Sequence, residues 1–140
     1  MKKVLIDTNV ALDILLNRSP FYANSVDVFV LAEQKIITGY VSAASVTDIF
    51  YIACKDIGKK DTHNAIKHLL HVFQPAAVIG DNIFKALDLD WGDFEDAVQF
   101  VVGESHSVDY IVTRNTRDFS FGSIPAVTPQ QFIKNIINEE

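Results

Sequence analysis

Carboxylates and amides recur just after short apolar runs in this 140-residue chain. Asp7-Thr8-Asn9 follows Val4–Ile6, and Ser42 and then Asp48 follow Ile36–Val41. Asn115 and Asp118 follow Tyr110–Thr113, and Asp93-Phe94-Glu95-Asp96 opens an amphipathic stretch. Two like charges about 4 Å apart repel by about 4 kcal/mol at an effective dielectric near ~20. A divalent cation removes that penalty. Oxygen ligands without His or Cys favour Mg²⁺ or Mn²⁺ over zinc. Such ions polarise phosphates and lower the pKa of bound water. The chemistry indicated is metal-assisted hydrolysis of a phosphodiester.

Each acid also has a plainer role to weigh. Asp7 could cap a helix, but Asn9 would cap equally well and Asp7 directly ends an apolar strand. Asp48 lies among Ala44, Ile49, Ile52 and Ala53, so spacing leaves an exposed helix acid and a site acid equally open. Asp93 and Asp96 are three apart, a cap-like pair. That role suits Asp93 better than Asp96, which the apolar Ala97-Val98 follows at once. Glu95 reads as solvated first-turn charge favoured by the helix dipole. Asn115 and Asp118 are also turn formers. His63, His68 and His71 lack any metal-binding spacing and read as a solvated helix face; His106 reads as surface.

The elements that must position these residues alternate. Apolar runs at Val4–Ile6, Ile36–Val41, Ala76–Ile79, Tyr110–Thr113 and Pro125–Val127 read as strands, the last an edge strand because of its proline. Helical patterns fill Val10–Leu16, Tyr22–Glu33, Ala43–Ile57, Asp61–Val72, Asn82–Leu89, Phe94–Ser105 and Pro129–Ile137. Ser42, Asp61, Asp81, Asp93 and Thr128 are the expected N-caps, and Gly58 the stop after Ile57. Strands alternating with helices predict one α/β domain over residues 1–140, with α/β/α layers and a mostly parallel sheet of about five strands. In such sheets ligands bind outside the carboxyl ends of the strands, where the polar residues fall.

Composition bounds the partners. Hydrophobic residues make up 49% and charged residues 21%, so the chain is expected to fold rather than stay disordered. With 18 acids against 12 Lys and Arg, the net charge is −6, which by itself disfavours a phosphate-hugging binder. A cation among clustered acids would reverse the local sign, so weak, metal-dependent nucleic-acid binding remains compatible with that charge. The single Cys54 excludes an intrachain disulfide and reads as a small buried hydrophobe. No apolar run approaches the roughly 18 residues of a membrane span, and the expectation is a soluble cytoplasmic protein with no membrane partner.

Four blocks together resemble the PIN-domain family: Val4-Leu5-Ile6-Asp7-Thr8-Asn9-Val10, Ser42–Asp48, Glu95-Asp96-Ala97-Val98, and Asp109 through Phe119 with its Thr113 and Asp118. They occur in the family's order across nearly the whole chain. The resemblance implies a Mg²⁺- or Mn²⁺-dependent ribonuclease. It also implies the toxin half of a VapC-type toxin–antitoxin pair, a homodimer held inactive by a small antitoxin. Matched by position, the metal-site acids are Asp7, Asp48, Asp96 and one of Asn115 or Asp118. Thr8, Asn9, Asp93 and Thr113 support the site, and Arg114 and Arg117 are the basic residues beside it for RNA. The expected reaction is in-line attack of water on phosphorus, leaving 5′-phosphate and 3′-hydroxyl ends. Two positions depart from the family's habit: Asp48 stands where Glu is common, and Asn115 where an acid is common.

Other readings compete. A PIN fold without activity would bind only RNA or a protein. A receiver-type signalling domain would be phosphorylated at Asp81, but that class has a pair of acids after its first strand. An aspartate-nucleophile phosphatase would need an acid where Asn9 stands.

Overall fold

A computed structural model describes residues 1–139. Five parallel strands form one sheet: β1 (Lys2–Ile6), β2 (Ile37–Ser42), β3 (Phe73–Ala76), β4 (Tyr110–Val112) and β5 (Ala126–Val127). Their spatial order is β3-β2-β1-β4-β5. The chain therefore runs outward from β1 in one direction through β2 and β3, then resumes on the other side with β4 and β5. The switch in direction falls between β1 and β4, the position at which open α/β sheets characteristically bind ligands.

Successive side chains of a strand point to opposite faces, and both faces are covered here. Val4 and Ile6 of β1 enter one core with Val10, Phe29, Ile49, Leu69 and Phe132. Those residues come from α1 (Thr8–Leu15), α2 (Tyr22–Glu33), α3 (Ala43–Ile57), α4 (Lys59–Val72) and α7 (Pro129–Glu139) respectively. Leu5, pointing the other way, enters a second core with Ala86 of α5 (Gly80–Leu89) and Ala97, Val98, Val101 and Val102 of α6 (Phe94–Ser105). The result is the expected α/β/α sandwich. A 3-10 helix, Thr116–Phe119, follows β4 and buries Phe119 in the second core.

Several boundaries differ from expectation. The third strand lies over Phe73–Ala76 rather than Ala76–Ile79. It pairs with β2 alone, Gly39 facing Phe73 and Val41 facing Pro75, and an edge strand tolerates the proline that marked a boundary in the sequence. Helix α1 begins at Thr8 rather than Val10. Helix α4 begins at Lys59 directly after Gly58, whose φ of 84° is a conformation that glycine adopts freely. Gly58 thus ends α3 and starts α4, and Asp61 is not the cap. Ser42 does precede α3, but its hydroxyl makes no capping bond. Thr128 caps α7 as expected: its hydroxyl accepts from the Gln131 N–H, and Gln131 Oε1 accepts from the Thr128 N–H.

Candidate active site

Asp7 sits where β1 turns into α1, at the carboxyl end of the central strand, and is buried. Its carboxylate collects donors from three elements. The Thr8 N–H donates to Oδ1 at 2.7 Å, the Gln99 Nε2 of α6 to the same oxygen at 2.9 Å, and the Thr113 hydroxyl after β4 to Oδ2 at 2.7 Å. A residue serving only as a cap would need none of the last two. Thr113 also accepts from the Asn115 N–H at 3.0 Å, which shapes the loop after β4. Asn9 Oδ1 accepts from the Arg114 N–H at 3.4 Å, tying α1 to the same loop.

The second acid comes from the opposite layer. Asp96, in the first turn of α6, is buried beside Ala97. Burial, and then the charges of Asp93, Asp7, Asp118 and Glu95, push its carboxyl from the usual 3.8 up to about 7. Asp93 caps α6, its Oδ1 accepting from the Asp96 N–H at 3.1 Å. Glu95 is exposed, but its Oε1 accepts from the Thr8 hydroxyl at 2.9 Å. Its pKa is raised, by burial first, against the opposing Thr8 bond, and then by Asp48, Asp7 and Asp93. Asp7, Asp48, Asp93, Glu95, Asp96 and Asp118 thus share one field at the carboxyl end of the sheet.

This donor set suits a hard divalent cation. All the groups are oxygens, and their mutual repulsion is what a cation would relieve. Among the described residues, no three His, Cys, Asp or Glu side chains stand close enough to hold a metal ion together. Mg²⁺ does not ask for three, since it is commonly held by one or two carboxylates and keeps several waters.

Residues 3–117 match the family model described as PIN domain. The chain belongs to the PIN-domain family. Among curated proteins none matches the sequence. Among solved structures, this PIN domain resembles a chain of VapBC2 from Rickettsia felis, which was crystallised bound to a DNA fragment from its promoter. The identity is 16% and the TM-score 0.67, with 89% of this chain and 96% of that one covered. It also resembles a chain of FitAcB from Neisseria gonorrhoeae, with 18% identity, a TM-score of 0.62, and 91% and 98% covered. At these identities the likeness is one of fold.

The PIN domain brings together Asp7, Thr8, Asp93, Asp96 and Thr113 through bonds or charge, with the exposed Asp48 and Asp118 reaching the same field. The Asp118 charge bears on Asp96, and the neutral Asn115 donates its N–H to the Thr113 hydroxyl. Arg114 is partly buried in the loop after β4. Its Nε lies 2.9 Å from Oδ2 of the fully buried Asp13, and its guanidinium carbon 4.0 Å from the Phe21 ring centre. It ties the loop after β4 to α1, while Arg117, in the 3-10 helix, is exposed. Asp81 is exposed in the first turn of α5, and no residue pair after β1 supports a phospho-acceptor there.

Two buried polar side chains went unread in the sequence, Gln99 and Asp13. Gln99 is a lone amide inside Ala97-Val98-Gln99-Phe100-Val101-Val102, and a polar residue on an otherwise apolar helix face was the available signal. Asp13 lies six residues after Asp7 in an apolar helix, a similar signal. Glu95 is the exposed first-turn acid expected from the sequence, and its bond to Thr8 exists only once α6 packs beside β1. Cys54 is half-buried rather than interior.

Proposed function

We propose that this PIN domain is a Mg²⁺- or Mn²⁺-dependent endoribonuclease and the toxin of a toxin–antitoxin pair, acting as a homodimer restrained by a small antitoxin. The observation that carries the nuclease reading is the meeting of Asp7 and Asp96. They come from different layers of the fold, both are buried, and the charge of one raises the pKa of the other. Asp7 and Asp96 would hold the ion, with Asp48, Glu95 and Asp118 at its margin. When bound, such an ion supplies charge to a phosphodiester and acidity to an attacking water. The protein's own groups then have distinct tasks. Thr8, Gln99 and Thr113 fix Asp7, Thr8 also steers Glu95, Asp93 fixes the backbone at Asp96, and Arg117 meets a phosphate. The toxin role is supported by the likeness in fold to chains of VapBC2 and FitAcB.

The test is RNA cleavage with Mg²⁺ or Mn²⁺ by wild type and by Asp7→Ala. Cleavage by the wild type alone, abolished by a chelator, is the expected result. Equal cleavage by both proteins would remove the assigned site. A small-protein gene next to this one, whose product binds the chain and blocks cleavage, would establish the antitoxin.

A further inference from the structure

We propose that Gln99 is a positioning residue that makes Asp7 a single-oxygen ligand through Oδ2; this rests on the metal-dependent reading above. Gln99 is 1% exposed in the middle of α6, flanked by Val98, Phe100 and Val101. Its Nε2 donates to Asp7 Oδ1 at 2.9 Å. Its Oε1 is buried without a hydrogen-bond partner among the described residues. A buried amide left half unmatched is costly, and Met or Leu would fill the same volume without that cost. Stability therefore gives little reason for a glutamine here, whereas a bond to a carboxylate does.

The lone pairs show what that bond does. An ionised carboxylate offers about four acceptor directions, two on each oxygen. Oδ1 accepts from both the Thr8 N–H and Gln99, so its capacity is filled. Oδ2 accepts from Thr113 alone and keeps one direction open. Gln99 is also uncharged. It orients Asp7 without neutralising it, as a Lys or Arg would, and without repelling it, as an acid would. A single open oxygen suits Mg²⁺ and Mn²⁺, whereas Ca²⁺ readily takes a carboxylate by both oxygens.

Gln99→Met keeps the length and removes the donor; Gln99→Leu is the second variant should the first fail to fold. Two readouts are taken: Mn²⁺ and Ca²⁺ affinities by calorimetry, and the orientation of Asp7 in crystals grown without metal. The expected result is a Mn²⁺ affinity weakened about tenfold, a smaller loss for Ca²⁺, and an Asp7 carboxylate turned from its wild-type orientation. An unchanged Mn²⁺ affinity, or equal losses for the two ions, overturns the proposal. A wild type that binds no Mn²⁺ defeats the metal reading instead, and the crystals then decide alone. An Asp7 that turns in the variant keeps Gln99 as its positioning residue, and one that stays refutes it.

Discussion

The Thr113 hydroxyl donates to Asp7 Oδ2 across 2.7 Å, with both residues buried. That bond joins the ends of β1 and β4, the two strands between which the sheet changes direction. It holds the first acid of the site to the loop that carries Asn115 and Asp118. Thr113→Val keeps the shape and removes the donor. The expected effect is a loss of about 1–2 kcal/mol of stability, since an acceptor loses its partner, and a drop of roughly tenfold or more in RNA cleavage. Denaturant unfolding and initial cleavage rates check the two parts separately.

The Asp13–Arg114 pair is structural, and its two halves are unequal. Asp13 is fully buried, and its pKa is raised by burial against the lowering pull of Arg114 and Arg18. Removing the cation leaves an uncompensated interior charge, so Arg114→Met is expected to cost about 3 kcal/mol. Asp13→Leu combined with Arg114→Met should recover most of that loss, because an apolar pair needs no compensation. Urea midpoints of the single and double variants measure it.

Without metal, stability should fall with rising pH. The Asp96 carboxyl titrates at about 7 in the fold against 3.8 ordinarily, so the folded chain holds a proton that the unfolded chain has lost between those values. Folding is therefore favoured as pH falls through that window, and the full penalty of ionising Asp96 is present above about pH 7. The raised pKa of Glu95 acts in the same direction. Thermal unfolding in a chelator is expected to give a higher midpoint at about pH 6 than at about pH 8. Mg²⁺ added at the higher pH should raise the midpoint again, because it binds the ionised form.

Gly39 tests the strand shift. It lies on β2 opposite Phe73 of β3, and a Cβ at that position would collide with the Phe73 ring. Gly39→Ala is expected to cost about 2 kcal/mol through overpacking. A Gly39→Ala protein as stable as wild type would contradict the pairing of β3 over Phe73–Ala76.

Much of this arrangement could be read from residue order. Four acid-bearing segments follow strands or open helices, and a parallel sheet delivers such segments to one edge, so Asp7, Asp48, Asp96 and Asp118 were identifiable. Family blocks gave Asp7, Asp48 and Asp96 and left Asn115 and Asp118 as alternatives for the fourth position. Partnerships across layers were not readable in this way. Gln99 reaches Asp7 across 92 positions, a contact set by how α6 packs on β1, and no local pattern encodes that. The partners of Glu95 and Arg114 were hidden for the same reason, since each lies on α1. The third strand was misplaced because Pro75 breaks an interior strand but not an edge strand, and edge status is itself a property of the assembled sheet.

The central claim is that Asp7 and Asp96 form one divalent-ion site. Crystals soaked in Mn²⁺, with the anomalous signal of the ion measured, test it most directly. The account predicts an ion contacted by Oδ2 of Asp7 and a carboxylate oxygen of Asp96, with water completing its shell. A bound ion elsewhere, or none at these two acids while both are ionised, would contradict it.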